Sequence, residues 1–122
     1  YQFAKRVEKN KQELVKLLNI LKRKNKIITG YGAPAKGNTL LNYFGITTRH
    51  LSYIVDDSVY KQGLFTPGTQ IPVVSPAQLN IKLPDYILIL AWNFAESIIE
   101  KYSYLKKKGV QFIVPVPKPR VM

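Results

Sequence analysis

Two rhythms of apolar residues alternate along the chain. Phe3, Val7, Leu14, Leu17, Leu18 and Leu21 fall on one stripe at helical spacing, with Lys5, Lys9, Glu13 and Lys16 elsewhere around the cylinder. The stripe predicts one long amphipathic helix ending at the Lys22-Arg23-Lys24-Asn25 run, where cations suit the negative end of the helix dipole. Asn10 and Lys11 break it too much for a coiled-coil seam, and packing on the domain is expected rather than insertion in a membrane. Ile27 to Gly30 then reads as a short buried strand, β-branched and followed by a glycine-rich turn. Leu40, Leu41 and Phe44 predict a helix over 38–44, and Leu51 to Val55 a second strand stopping at Asp56-Asp57.

Ile71 to Val74 reads as a third strand, and Ser75-Pro76 as a helix start with serine as cap and proline in the first turn. Tyr86 to Ala91 is a continuous apolar run of the kind buried on both faces of a sheet. Asn93 with Glu96 resembles a capping box opening a helix whose inner face is Ala95, Ile98, Ile99, Tyr102 and Leu105, ended by Gly109. Val110 to Val114 is the last predicted strand, because the tail from Pro115 to Met122 carries three prolines and cannot continue a central one. Strands alternating with helices call for a parallel sheet with right-handed crossovers. The expectation is a single Rossmann-like α/β domain over residues 1–122: a three-layer α/β/α sandwich with a mainly parallel sheet of about five strands, preceded by the long N-terminal helix.

In such a sheet, ligands bind beyond the carboxyl ends of the strands, where the strand order reverses. The turn Gly30-Tyr31-Gly32-Ala33-Pro34-Ala35-Lys36-Gly37 sits at that place, and Gly30, Gly32 and Ala35 match the G-x-G-x-x-A spacing of dinucleotide-binding turns. Glycines let the backbone approach a ligand, the helix behind offers unpaired N–H groups, and Lys36 adds a cation. Asp56 occupies the place where an acid would grip a ribose hydroxyl. The turn therefore reads either as an anion-binding element or as a close-packing device alone. The spacing of a P-loop is absent.

The stretch from Tyr60 to Thr69 is long for a connection and reads either as a functional loop or as a packed one anchored by Leu64 and Phe65. Trp92, at the carboxyl end of a central strand, either stacks on a base or sugar or belongs to the core, and Asn93 either meets ligand or caps. No catalytic constellation emerges. His50 stands alone before a strand, with a surface or loop role expected, and Asp56 and Asp57 are adjacent on a strand end and point different ways.

Composition narrows the classes further. An apolar fraction of 46% fits a folded domain, and no apolar run approaches the roughly 20 residues that span a bilayer. No segment has the pattern of a secretory signal. Without cysteine there is neither a disulfide nor a thiolate metal site, and one histidine makes an all-protein zinc site improbable. The chain opens at Tyr1 directly inside a helical pattern, so it is expected to be part of a longer protein. The net charge of +12 attracts phosphorylated small molecules, acidic lipids or nucleic acid alike. With only four arginines and no arginine-aromatic interleaving, nucleic-acid binding is a minority reading, and a lysine-rich solvated surface the simpler one.

Three stretches together, Gly30 to Leu40, Asp56-Asp57-Ser58 with Lys61 to Thr69, and Leu90 to Glu96, resemble the C-terminal domain of sugar C-methyltransferases. The resemblance covers essentially the whole chain. It implies an S-adenosylmethionine-dependent transfer of a methyl group to a carbon of a nucleotide-linked deoxysugar, in a cytoplasmic enzyme. It further implies that the donor site, the zinc cysteines and the catalytic base lie in N-terminal and middle domains absent here. This part alone would then bind no cofactor and be inactive, helping to hold the nucleotide-sugar. On that reading Gly30, Gly32, Lys36 and Asn38 face phosphates or sugar, joined by Tyr31, Ala33, Gly37, Asp56, Lys61, Gln62, Thr69, Trp92 and Asn93 as candidate substrate contacts. Phe65 stands where tyrosine is expected, and the basicity is not something the resemblance predicts. Two rivals remain: a stand-alone NAD-type dinucleotide-binding module, and a basic domain that docks nucleic acid or a partner.

Overall fold

The computed structural model describes residues 2–32, 41–116 and 119–122, with residues 2–7 described by their backbone alone. Helix α1 (Gln2–Arg23) carries Leu14, Leu18 and Leu21 on its buried face, at the spacing the stripe predicts. It ends at Asn25, whose φ of 61° is left-handed; Lys26 N–H donates to the Leu21 carbonyl at 3.0 Å and Asn25 N–H to that of Lys22 at 3.0 Å. The same pair of bonds closes the helical segment 41–44, from Ile46 to Leu41, and the helix before Gly109, from Val110 to Leu105. Each end thus satisfies carbonyls that a helix otherwise leaves bare.

Six strands follow in chain order: β1 (Ile28–Tyr31), β2 (Ile54–Val55), β3 (Val73–Val74), β4 (Tyr86–Ile89), β5 (Gln111–Val114) and β6 (Arg120–Val121). Their order in the sheet is β3-β2-β1-β4-β5-β6, with the first five parallel and β6 antiparallel to β5. Helix α2 (Gln78–Ile81) precedes β4; α3 (Ala95–Lys101) and α4 (Ser103–Lys106) lead to β5. Alternation along the strands sorts the core into two clusters. Ile28, Leu88 and Ile113 meet α1 and the 41–44 segment, while Tyr31, Ile87, Ile89, Phe112 and Val114 meet Leu79, Ile98, Tyr102 and Leu105. The expected three layers are present.

Several details differ from the sequence reading. The sheet has six strands rather than five, because the tail folds back: Phe112 and Met122 exchange backbone bonds of 2.9 and 2.7 Å, and an edge position tolerates the prolines before it. The helix after β4 is broken at Tyr102. Ser75 caps no helix directly; its hydroxyl accepts from Ala77 N–H at 3.2 Å, one turn before α2. Asn93 and Glu96 form no capping box, since a 3-10 turn over Trp92–Phe94 pushes the start of α3 to Ala95.

The long loop after β2 is also held differently. Leu64 and Phe65 do not anchor it; they are 57% and 59% exposed. Backbone bonds from Gly63 to Val73 and from Val73 to Leu64, with Thr66 Oγ1 accepting from Ile71 N–H at 2.9 Å, close an antiparallel excursion around buried Thr66 and Ile71. His50 has the loop role expected, in the turn over 48–50, but is buried there: Thr47 N–H donates to its Nδ1 at 3.2 Å, so Nε2–H donates to Asn19 Oδ1 at 3.2 Å and clips the loop to α1.

Two predictions follow from this packing. Thr29 Oγ1 is buried with no partner among the described residues. Thr29→Val keeps the shape and removes that hydroxyl, and should raise unfolding free energy by about 1 kcal/mol in denaturant titration. Burial, with Arg49 and Lys22 nearby, holds the His50 pKa below its ordinary value, so the unfolded chain takes up the proton first. Stability should therefore decline as pH falls below about 6.5, and thermal scans from pH 8 to 5 on His50→Gln should show a flatter profile.

Candidate functional site

Strand order reverses between β1 and β4, and in a doubly wound sheet ligands bind beyond the carboxyl ends of the strands at such a point. Tyr31 and Ile89 are register partners and finish level. Beyond them, Leu90 N–H and Ala91 N–H both turn onto the Tyr31 carbonyl, at 2.9 and 3.4 Å, which carries Trp92 across the end of β1. Gly32 leaves β1 at φ 88°, where a side chain would be strained, and its N–H donates to the Val55 carbonyl at 2.7 Å. Gly30 lies one step further inside. A Cβ there would stand 3.0 Å from Ile54 Cγ1, 3.1 Å from Leu90 Cδ1 and 3.3 Å from Leu51 Cδ1, so this glycine serves packing within the sheet and does not face the carboxyl edge. Ala33, Lys36, Gly37 and Asn38 lie outside the described residues.

The polar candidates after β2 are engaged with one another. Asp56 Oδ1 accepts from Ser58 N–H at 2.8 Å, its carbonyl accepts from Gln62 Nε2 at 2.9 Å, and its Oδ2 is 3.9 Å from Lys61 Nζ. Its side chain is 13% exposed, and it shapes the turn. Thr69 Oγ1 shares a 2.5 Å hydrogen bond with Thr66 Oγ1 inside the loop. Lys61 also lines a cavity of about 190 Å³ with Leu41, Leu64, Phe65, Pro67 and Val73. Trp92 is half-buried and packs against the α1-side core, as the core reading expects, and it also lines a groove with Asn93, Phe94 and Val116. Asn93 is exposed there.

A cluster that sequence spacing does not reveal lies beneath these strand ends. Tyr31 is buried instead of facing ligand; its hydroxyl donates to Asp57 Oδ2 at 2.5 Å and lies 3.2 Å from that of Tyr102. Lys101 Nζ donates to the same Asp57 oxygen at 3.0 Å. Burial, reinforced by Asp57, pushes the Tyr31 phenol far above its ordinary pKa. The Tyr31 hydrogen bond, with Lys101, holds the Asp57 carboxyl below the usual carboxylate range, and Asp57 in turn raises Lys101. Asp56 and Asp57 do point different ways, one to its loop and the other to β1 and α3. The only advance signal was period-two alternation, which turns the Tyr31 side chain to the α3 face.

No group of three histidine, cysteine, aspartate or glutamate side chains among the described residues is placed to hold a metal. No described helix is long and apolar enough to cross a membrane.

The Tyr31 cluster can be tested by removing one oxygen. Tyr31→Phe should cost about 1–2 kcal/mol at pH 7, by loss of a charge-assisted bond. Because the folded-state Asp57 pKa is depressed, its contribution is present above about pH 4 and lost as pH falls. The difference between Tyr31→Phe and the parent in chemical denaturation should therefore shrink on acidification through that range.

Comparison with known proteins gives the geometry a family. Residues 1–117 match the C-methyltransferase C-terminal domain. The chain is 40% identical over 121 residues to C-methyltransferase NovU from Streptomyces niveus, covering 99% of this chain and 29% of that protein. It therefore spans less than a third of that relative's length. Among solved structures, UDP-D-quinovosamine 4-dehydrogenase from Vibrio fischeri is similar at 21% identity and a TM-score of 0.49, over 72% of this chain and 75% of that one. The match across nearly its whole length makes this chain a member of the C-methyltransferase C-terminal domain family.

Proposed function

We propose that this chain is the substrate-holding domain of an S-adenosylmethionine-dependent C-methyltransferase whose substrate is a nucleotide-linked deoxysugar. The observation that carries the reading is the reversal of strand order between β1 and β4, the usual ligand-binding position of such a sheet, in a chain of this family. Gly32 gives a ligand close access to backbone, and Trp92 and Asn93 form the facing rim. Lys36, Gly37 and Asn38, with Ala33, belong to the same turn in sequence and are proposed to meet phosphate or sugar oxygens. Asp56, Lys61, Gln62 and Thr69 take the lesser part of shaping the loop beside the switch point. Gly30 and Tyr31 support the wall from behind.

The methyl donor and the catalytic base are assigned to other parts of the complete protein, and this part alone is expected to be inactive. Zinc is assigned there too. The side chains here do not fit it: there is no cysteine, and both ring nitrogens of the one histidine are already in hydrogen bonds. A cytoplasmic location goes with a doubly charged substrate that does not cross membranes unaided. A stand-alone dinucleotide-binding module is the weaker reading, because the Asp56 carboxylate that would grip a ribose is committed to Ser58 and Lys61.

Calorimetry of the complete protein with nucleotide-linked sugars checks the proposal. Lys36→Ala should weaken substrate affinity by about 1–2 kcal/mol, roughly tenfold, through loss of a charge-assisted phosphate contact. Unchanged affinity and turnover would remove Lys36 from the site.

A further inference from the structure

The loop that leaves β2 carries the densest set of exposed apolar side chains among the described residues. Val59 is 71% and Tyr60 87% exposed, and Leu64 and Phe65 follow, both more than half exposed. Single exposed apolar residues are ordinary, but a cluster of them marks a surface that meets something. These four are held outward by the backbone. Gln62 Nε2 ties the loop to the Asp56 carbonyl at 2.9 Å, Gly63 N–H donates to the Val73 carbonyl at 2.9 Å, and Val73 N–H donates to that of Leu64 at 2.9 Å. A bridge between Phe65 and Pro72 lays the segment along β3, the edge strand of the sheet. Little ordering is therefore left to be done on contact.

Charge decides the class of what covers this surface. From 58 to 73 there is one charged residue, Lys61, in a chain that is 21% charged, and its ammonium lies 3.9 Å from the Asp56 carboxylate. Nucleic acid and anionic membranes are met by clustered cations, which this stretch lacks. Aromatic and aliphatic side chains with few charges are instead the make-up of a protein–protein interface core. Between them lies the cavity of about 190 Å³, walled by Leu64, Phe65 and Pro67 and floored by buried Leu41 and Val73. It is smaller than the usual small-molecule site and suits a single apolar anchor side chain.

The occupant follows from what such a protein contains besides this domain. The match to the C-methyltransferase relative covers 29% of that protein, so most of its chain lies outside the matched part. The loop begins at Asp56, next to Val55, whose carbonyl accepts from Gly32 N–H, so the surface is continuous with the strand ends where the glycine turn starts. We propose that the 59–65 surface is the seat of the rest of the complete chain, which places one apolar side chain in the cavity beside Leu64 and Phe65 and so brings its own groups to these strand ends. This rests on the reading that the methyl donor and the base belong to other parts of the complete protein, and it names the surface that holds those parts to this one.

The test uses the complete protein, with the photo-crosslinker p-benzoylphenylalanine placed at position 64 or, as a control, at exposed position 81 in α2. Illumination should link position 64, and not position 81, to peptides of the same molecule outside residues 1–122, with a yield independent of protein concentration. The double variant Leu64→Ser, Phe65→Ser should lower methyl-transfer turnover about tenfold or more, the loss of an interface anchor, with an unchanged circular dichroism spectrum. Links confined to residues 1–122, or links to a second copy that grow with concentration, overturn the proposal, and so does a folded double variant with parental turnover. The underlying reading is checked separately: a parent protein that binds no nucleotide-linked sugar in calorimetry overturns that reading, while the crosslinks still decide the seat.

Discussion

Everything at the switch point depends on the close packing around Gly30 in the central strand. β1 is paired on both sides, to β2 and to β4, and all of its residues are buried. At Gly30 the side chains of Ile54, Leu90 and Leu51 occupy the space that a Cβ would need. Leu90 can settle there because the position is empty. Its own backbone and that of Ala91 then bond to the Tyr31 carbonyl, and Trp92 is delivered to the rim. A larger residue at position 30 would lift Leu90 and the segment after it. The first glycine of a motif that reads as ligand-binding therefore acts through packing, and the second, Gly32, makes the turn.

The site is supported from below by polar bonds between segments far apart in sequence. Tyr31, Asp57, Lys101 and Tyr102 tie the end of β1 to the start of the β2 loop and to the end of α3. Asp57 is half-exposed, so the strength of this clip comes from the buried phenol and not from the surface ion pair, which water and salt weaken. The β2 loop is closed independently by Thr66 and by backbone bonds between 63–66 and 71–73. The rim thus has three firm supports: strand ends, a buried tyrosine and a self-closed loop.

Charge has a more modest role than a net +12 suggests. α1 bears many of the cations, and its groove beside Phe44, lined by Lys11, Lys16 and Arg23, lies on the helical layer and not at the strand ends. A general positive field draws phosphorylated ligands toward the whole domain.

The sequence by itself determined the class of the fold, because that depends on local periodicity. Leu14, Leu18 and Leu21 at helical spacing, the doubly buried run from Ile87 to Leu90, and the ends of the helices at Asn25 and Gly109 are properties of a few consecutive residues. It also placed the glycine turn at the carboxyl edge of the central strand, since a turn after the first strand has only one place in a doubly wound sheet. It did not determine which side chains meet there. The Tyr31–Asp57–Lys101 cluster joins residues 26 and 44 positions apart. The Asp56 carboxylate turns to its own loop, where Ser58 N–H donates to it, and the 3-10 turn at Trp92 moves Asn93 out of its capping place. Arg120 comes to line the groove beside Trp92 because β5 has a free edge to pair with, which no local pattern in a proline-bearing tail could announce. Local rules choose the elements; only the closure of distant ones against each other chooses the partners of a side chain.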